Sequence, residues 1–142
     1  MFSKSCEYEI RAVVYLATAG EHQLMPISSI SKSLGSPKAY TAKILQLLAA
    51  KNIVASIKGN GGGYFIEKKM LAKIFLSDIV EAIDGDSIYT ACGLGLKECS
   101  NSNPCPLHEH FKKIRTDLRL MCEKTSIKKL ADELAMGNNT LK

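Results

Sequence analysis

Residues 36–66 read SPKAYTAKILQLLAAKNIVASIKGNGGGYFI, and the change of period along this stretch decides the fold. Ser36 is placed to cap a helix with Pro37 at its first position, where a missing N–H costs nothing, and Ile44, Leu47 and Leu48 form its apolar face. From Ile53 to Ile57 the pattern becomes β-branched and apolar. Gly59-Asn60-Gly61-Gly62-Gly63 then supplies the positive φ angles of a hairpin, and Tyr64-Phe65-Ile66 reads as the returning strand. A helix followed at once by a glycine-rich hairpin predicts a β-wing.

Upstream, after Pro26, Ser28 is placed to cap a short helix with Ile30 and Leu34 on one face, and Gly35 follows as a left-handed stop. The two helices, joined by a tight turn, make a helix-turn-helix. Ile10, Val13, Val14 and Ala17 mark the buried face of an earlier helix, about Cys6 to Ala19. Downstream, Leu76, Ile79, Val80 and Ile83 mark a helix over roughly Ser77 to Ile83, broken by Asp84-Gly85-Asp86. From Pro106 onward Leu107, Phe111, Ile114, Leu118 and Met121 are spaced four, three, four, three, a heptad seam about 25 Å long. Such a seam wants a partner, either the same helix of a second copy or helix one of its own chain. A last helix, about Ser126 to Leu134, carries Ile127, Leu130 and Leu134. The expected fold is mainly α with a small β-wing (α+β): a winged helix-turn-helix in residues 1–75, then a cysteine loop and dimerisation helices in 76–142, in one domain.

The size, 142 residues, and 46% hydrophobic content suit a single domain with its own core. No apolar run approaches about 20 residues and no signal peptide is visible, so a cytoplasmic chain without membrane contact is expected. The net charge of +5 is unevenly placed: residues 28–73 hold eight lysines against one acid, Glu67. A segregated basic segment suits a polyanion such as double-stranded DNA, because phosphate neutralisation releases counterions. The third helix would enter the major groove, with Ser36, Lys38, Tyr40 and Thr41 offering donors to base edges and phosphates and Lys43 nearer the backbone. In the wing Lys58, with Asn60 and Gly61 beside it, would reach the adjacent minor groove. The plainer alternative makes Tyr40 part of the core and leaves the glycines only to turn a hairpin.

Five cysteines are an odd number, and a reducing compartment does not favour a disulfide framework. Cys92-x6-Cys99-x5-Cys105-x2-His108 gathers three thiols and an imidazole in a loop rich in Gly, Ser, Asn and Pro, which offers little core to hide them. Cys6 and Cys122 read as packing residues. Thiolates attract soft metals, so zinc and iron-sulfur centres are the candidates. Structural zinc sites use cysteine pairs two to four apart, whereas these longer spacers suit a [2Fe-2S] or [4Fe-4S] cluster; zinc and metal-free cysteine redox chemistry stand behind it. His108 can face the loop as a fourth ligand, or lie on the surface at a helix start. His110 and His22 have no ligand spacing.

Taken together, Glu7-Tyr8 and Tyr15-Leu16-Ala17 in helix one, Ile30-Ser31 and Tyr40 in the helix pair, Lys58-Gly59-Asn60-Gly61-Gly62-Gly63-Tyr64 in the wing, and the Cys92, Cys99, Cys105, His108 set resemble the IscR/NsrR family of bacterial regulators. The resemblance spans nearly the whole chain. It implies a winged-helix homodimer on an inverted-repeat operator, with an iron-sulfur cluster bound by the three cysteines. The fourth ligand it implies is His108, as in the IscR type, or Glu7 from helix one of the other subunit, as in the NsrR type. Lys58 and Asn60 stand where arginine and proline are usual, and the first cysteine spacer is one residue longer than the commonest form.

The function expected is transcription regulation controlled by that cluster. A winged-helix regulator that instead answers to zinc, a metabolite or a partner protein is the alternative. An electron carrier would need no lysine-rich segment or wing. An enzyme is not expected, because no nucleophile–base pair is visible and the glycine-rich stretch lacks the following helix that phosphate binding needs.

Overall fold

A computed structural model describes residues 1–20, 23–137 and 139–141; His22 lies outside the described residues. Helix α1 spans Lys4–Thr18, and Ser3 caps it by accepting from the Cys6 N–H. The cap explains why the helix starts two residues before the expected Cys6. Ser3 is itself anchored, its Oγ and N lying 2.5 and 3.1 Å from the carboxylate oxygens of Asp84.

Helix α2 covers Ile27–Leu34 and α3 covers Lys38–Ala50. Helix α2 begins two positions earlier than expected and α3 one position later. Pro26, extended at φ −67° and ψ 149°, is the N-cap of α2, which places Ser28 inside the helix rather than at its cap. Pro37 is the N-cap of α3, which frees the Ser36 hydroxyl to pair with Thr41 Oγ1 at 2.6 Å. Gly35 makes the left-handed stop at φ 62°. On α3, Leu45 is fully buried beside Ile44 and Leu48, while Leu47 is 40% exposed. The buried stripe is therefore 41, 44, 45 and 48, an i, i+3, i+4, i+7 pattern that Leu47 falls outside.

The wing pairs β1 (Ala55–Ile57) with β2 (Gly63–Phe65) in antiparallel register, Ser56 opposite Tyr64. Ile53 and Val54, expected as strand, precede it as buried core residues. Tyr64 exchanges both backbone hydrogen bonds with Met25 at 2.9 Å, which ties the wing to the segment entering α2. This close approach requires Gly63, since a Cβ there would lie 2.3 Å from the Met25 carbonyl oxygen.

Four elements follow: α4 (Lys68–Leu71), α5 (Leu76–Asp84), α6 (Ser87–Thr90) and α7 (His108–Lys124). The short α4 and α6 were not visible as periodicity, each being a single turn. Asp78 fixes the start of α5 by accepting from the Phe75 N–H at 2.7 Å. The last helix, α8 (Ile127–Ala135), is capped by Ser126.

Helix α1 is central, packing on α2, α3, α5 and α8. The main core holds Val13, Ile30, Leu45, Leu48, Ile79 and Ile127, so residues from both halves of the chain share it. Each such fully buried aliphatic side chain contributes about 1.5–3 kcal/mol. A second cluster of Cys6, Leu76, Val80, Tyr89 and Cys122 joins α1, α5, α6 and α7, and both packing cysteines are fully buried in it. Helix α7 lies chiefly on α5 and α6. Of its heptad seam, Leu118 is packed into this second cluster, whereas Leu107, Ile114 and Met121 are exposed. Among the described residues no helix is long and apolar enough to cross a membrane.

Candidate metal centre and nucleic-acid interface

Between α6 and α7 the chain is irregular, and local hydrogen bonds set its course. The Gly95 N–H reaches Cys92 O at 2.9 Å, the Ser100 N–H reaches Asn103 O at 3.1 Å, and the His108 N–H reaches Cys105 O at 2.9 Å. These turns fold the segment back on itself. The sulfurs of Cys92, Cys99 and Cys105 consequently lie within 4.8 Å of one another, half-buried. Cys92 and Cys105 are 3.8 Å apart, and the Cys105 N–H points at Cys99 Sγ from 3.4 Å. Helix α7 holds the segment through Arg115, which donates to Ala91 O at 2.9 Å, and through Phe111, whose ring lies against Gly93.

The thiols differ electrostatically. Backbone N–H groups of Leu94 and Leu96 stabilise the Cys92 thiolate and bring it down to about 7. The Cys105 N–H favours the Cys99 thiolate too, but desolvation and its two thiol neighbours outweigh that and hold Cys99 above the usual value. Since the thiolate is the metal-binding form, one sulfur is poised near neutrality and the others are gathered around it. Three soft donors, two of them touched by N–H groups, fit a thiophilic metal group.

His108 opens α7 and is only 8% exposed. Its Nδ1 is 3.2 Å from Cys99 Sγ, so this side chain joins the rim of the triad. Its Nε2 is 3.1 Å from Asn101 Oδ1, and Lys112 Nζ donates to the same oxygen at 3.0 Å. Asn101 and Lys112 carry no spacing signal and were not singled out from the sequence. Glu7 belongs to the first turn of α1, partly exposed and paired with Lys4 at 2.7 Å; it is not brought to the triad of its own chain.

On the winged helix, Lys38 and Lys43 are exposed along α3, and Lys58, Asn60 and Gly61 are exposed on the wing. Tyr40 is half-buried, its ring edge-on to Tyr8 with centroids 5.5 Å apart. Thr41 is fully buried, and its hydroxyl is bonded to Ser36 Oγ and to the Pro37 carbonyl at 3.1 Å. Ser36 and Thr41 thus hold the first turn of α3 together, while Ala39 and Gln46, not singled out from the sequence, share the exposed face with Lys43.

Residues 2–133 match the Rrf2 family, described as an iron-dependent transcriptional regulator. An HTH-type transcriptional regulator of Aquifex aeolicus is 30% identical over 132 residues, covering 92% of this chain and 90% of its own. The HTH-type transcriptional regulator IscR of Xenorhabdus nematophila is 26% identical over 101 residues, covering 71% of this chain and 60% of its own. Among solved structures, CymR, the global cysteine regulator of B. subtilis, superposes with a TM-score of 0.76 at 21% identity, covering 93% of this chain and 96% of its own. T. potens IscR gives 0.71 at 16% identity, covering 100% and 93%. At those identities the structural likeness speaks for the fold, and it agrees with a winged helix. The match along residues 2–133, with this helix pair and wing, means that the chain belongs to the Rrf2 family of transcriptional regulators.

Proposed function

We propose that this chain is a homodimeric, DNA-binding transcription regulator of the cytoplasm. Its affinity for an inverted-repeat operator is set by an iron-sulfur cluster, [2Fe-2S] or [4Fe-4S], held by Cys92, Cys99 and Cys105. His108, or Glu7 of a second copy, completes the ligand set. One observation carries the reading: three thiols, the outer two thirteen residues apart in sequence, gather within 4.8 Å in an irregular segment that no apolar packing requires. When bound, such a cluster supplies a redox-active, chemically labile centre.

The protein's own residues do the rest. Residues 1–75 form the reading part, with Lys38, Tyr40 and Lys43 of α3 toward the major groove and Lys58, Asn60 and Gly61 of the wing toward the backbone beside it; Ser36 and Thr41 shape the turn that presents them. Residues 76–142 form the sensing and pairing part, with Leu107, Ile114 and Met121 of α7 facing the second copy. Because the two parts share one core, a change at the cysteines is transmitted through packed helices.

One observation favours a second reading, a mononuclear metal site. Two thiolates on one tetrahedral ion, with metal–sulfur bonds of about 2.3 Å, lie about 3.8 Å apart, and Cys92 and Cys105 are separated by 3.8 Å. Oxygen-free purification followed by iron, sulfide and zinc analysis separates the two. Gel shifts with loaded and metal-free protein then test the coupling, for which a factor of about 5–150 in operator affinity is expected. Colourless, iron-free protein after reconstitution would refute the cluster, and equal binding by both forms would refute the coupling.

A further inference from the structure

We propose that Asn101, itself held by Lys112, is a positioning residue that fixes the tautomer of His108 and turns an unprotonated Nδ1 toward the cysteine triad. The purpose of this device rests on the metal-centre reading; its test does not.

The argument is one of donors and acceptors. A lysine ammonium has only protons to offer, so the Asn101 atom 3.0 Å from Lys112 Nζ is the carbonyl oxygen, Oδ1. The same oxygen is 3.1 Å from His108 Nε2. An amide oxygen can only accept, so Nε2 carries the proton. Neutral imidazole has one N–H, which leaves Nδ1 as a bare lone pair directed at Cys99 Sγ, 3.2 Å away. Glu109 Oε1, 4.0 Å from Nε2 and so beyond hydrogen-bond distance, also favours a proton there. At 8% exposure the ring has little water to offer either nitrogen an alternative partner.

The geometry also says why two residues are used. His108 and Lys112 are one turn apart on α7, whereas Asn101 comes from the loop between Cys99 and Cys105. Lys112 therefore pins the loop amide to the same helix that carries the imidazole, and the ring cannot turn without losing the Asn101 bond. A bare Nδ1 is the form that takes a metal, and an outer partner on the other ring nitrogen is what keeps a ligand histidine in that form.

The test begins with reduced, metal-free full-length protein, in which long-range ¹H–¹⁵N correlation of the histidine rings reads the tautomer directly. At a pH where His108 is neutral, the wild type should show Nε2–H alone. Asn101→Ala should give a mixture of tautomers, Asn101→Asp, which keeps an acceptor oxygen, should restore Nε2–H, and Lys112→Met should loosen the preference where Lys112→Arg does not. Asn101 is exposed, so these variants keep the fold. A wild type protonated on Nδ1, or an Asn101→Ala spectrum identical to wild type, would overturn the proposal. In reconstituted protein, Asn101→Ala should weaken metal retention by about 10–100-fold. Wild type that takes up no metal yet shows Nε2–H would sink the metal-centre reading while upholding the clamp.

Discussion

Glu9 predicts an unusual dependence of stability on pH. It lies on the inward face of α1 with no exposed surface, and neither carboxylate oxygen has a hydrogen-bond partner among the described residues. Burial, reinforced by the negative charge of Asp84, pushes its carboxyl up to about 8. In the unfolded chain it ionises near 4.5. Between these two values the unfolded state releases a proton that the native state keeps. The stabilising contribution is therefore full below about 4.5, falls as pH rises, and is lost once pH passes about 8. Each pH unit inside the window costs about 1.4 kcal/mol, so raising the pH from about 5.5 to about 7.5 should remove roughly 2–3 kcal/mol. Glu9→Gln keeps the shape and abolishes the titration. Urea melts followed by far-UV circular dichroism, at matched protein concentration and several pH values, should show the wild-type curve falling relative to the variant's by that amount. Other titrating groups are common to both proteins and cancel in the difference. Parallel curves would mean that the Glu9 carboxylate is solvated or paired in solution, and would refute the reasoning.

Gly93→Ala would place a Cβ 2.5 Å from the Phe111 ring; the ring must move off the segment, and limited proteolysis should cut between residues 91 and 107 faster than in the wild type. Lys58→Ala should weaken binding to every duplex alike and lower the slope of log affinity against log salt by about 1; a loss confined to one operator would assign Lys58 to base reading instead. Ile114 is 55% exposed, so Ile114→Glu should leave the helical content unchanged while light scattering reports a monomer; a dimer that persists would remove α7 from the interface.

The helix pair and wing were legible because each rests on local chemistry: Gly35 at its left-handed stop, the apolar face of α3, and the glycine run before Tyr64. What the sequence misplaced depended on which of two neighbouring residues took a role. Ser28 and Ser36 are good caps, but Pro26 and Pro37, with fixed φ, occupied those positions first. Leu47 and Leu45 both fit a helical stripe, and only the direction from which α1 packs chooses between them. The cysteines were readable as a group because they lie close in sequence. Asn101 and Lys112 were not, since their meeting depends on how the loop folds over α7, and Glu9, four residues before Val13 on the buried stripe of α1, was masked by the charge of its side chain.

The two candidate fourth ligands imply different mechanical couplings, and this allows them to be told apart. His108 begins α7, on which Ile114 and Met121, with Leu107 at the N-cap, are exposed. In the proposed dimer a shift of its imidazole relative to the thiols would bear first on how the two subunits pair. Glu7 instead lies on α1, one residue before Tyr8, whose ring meets Tyr40 of α3. In the proposed dimer a pull on Glu7 would bear first on α3 of the same chain, and it must break the Lys4 ion pair, a weak contact between exposed side chains. If His108 is the ligand, His108→Ala should lower metal retention and alter the response of the dimer to loading, while Glu7→Ala leaves both near wild type. If Glu7 is the ligand, Glu7→Ala should free the metal, and a mixed dimer with one Glu7→Ala subunit should retain half, because each centre then draws on both chains. Analytical ultracentrifugation with metal analysis decides between them, and equal retention by both single variants would leave the ligand set to the three thiols and solvent.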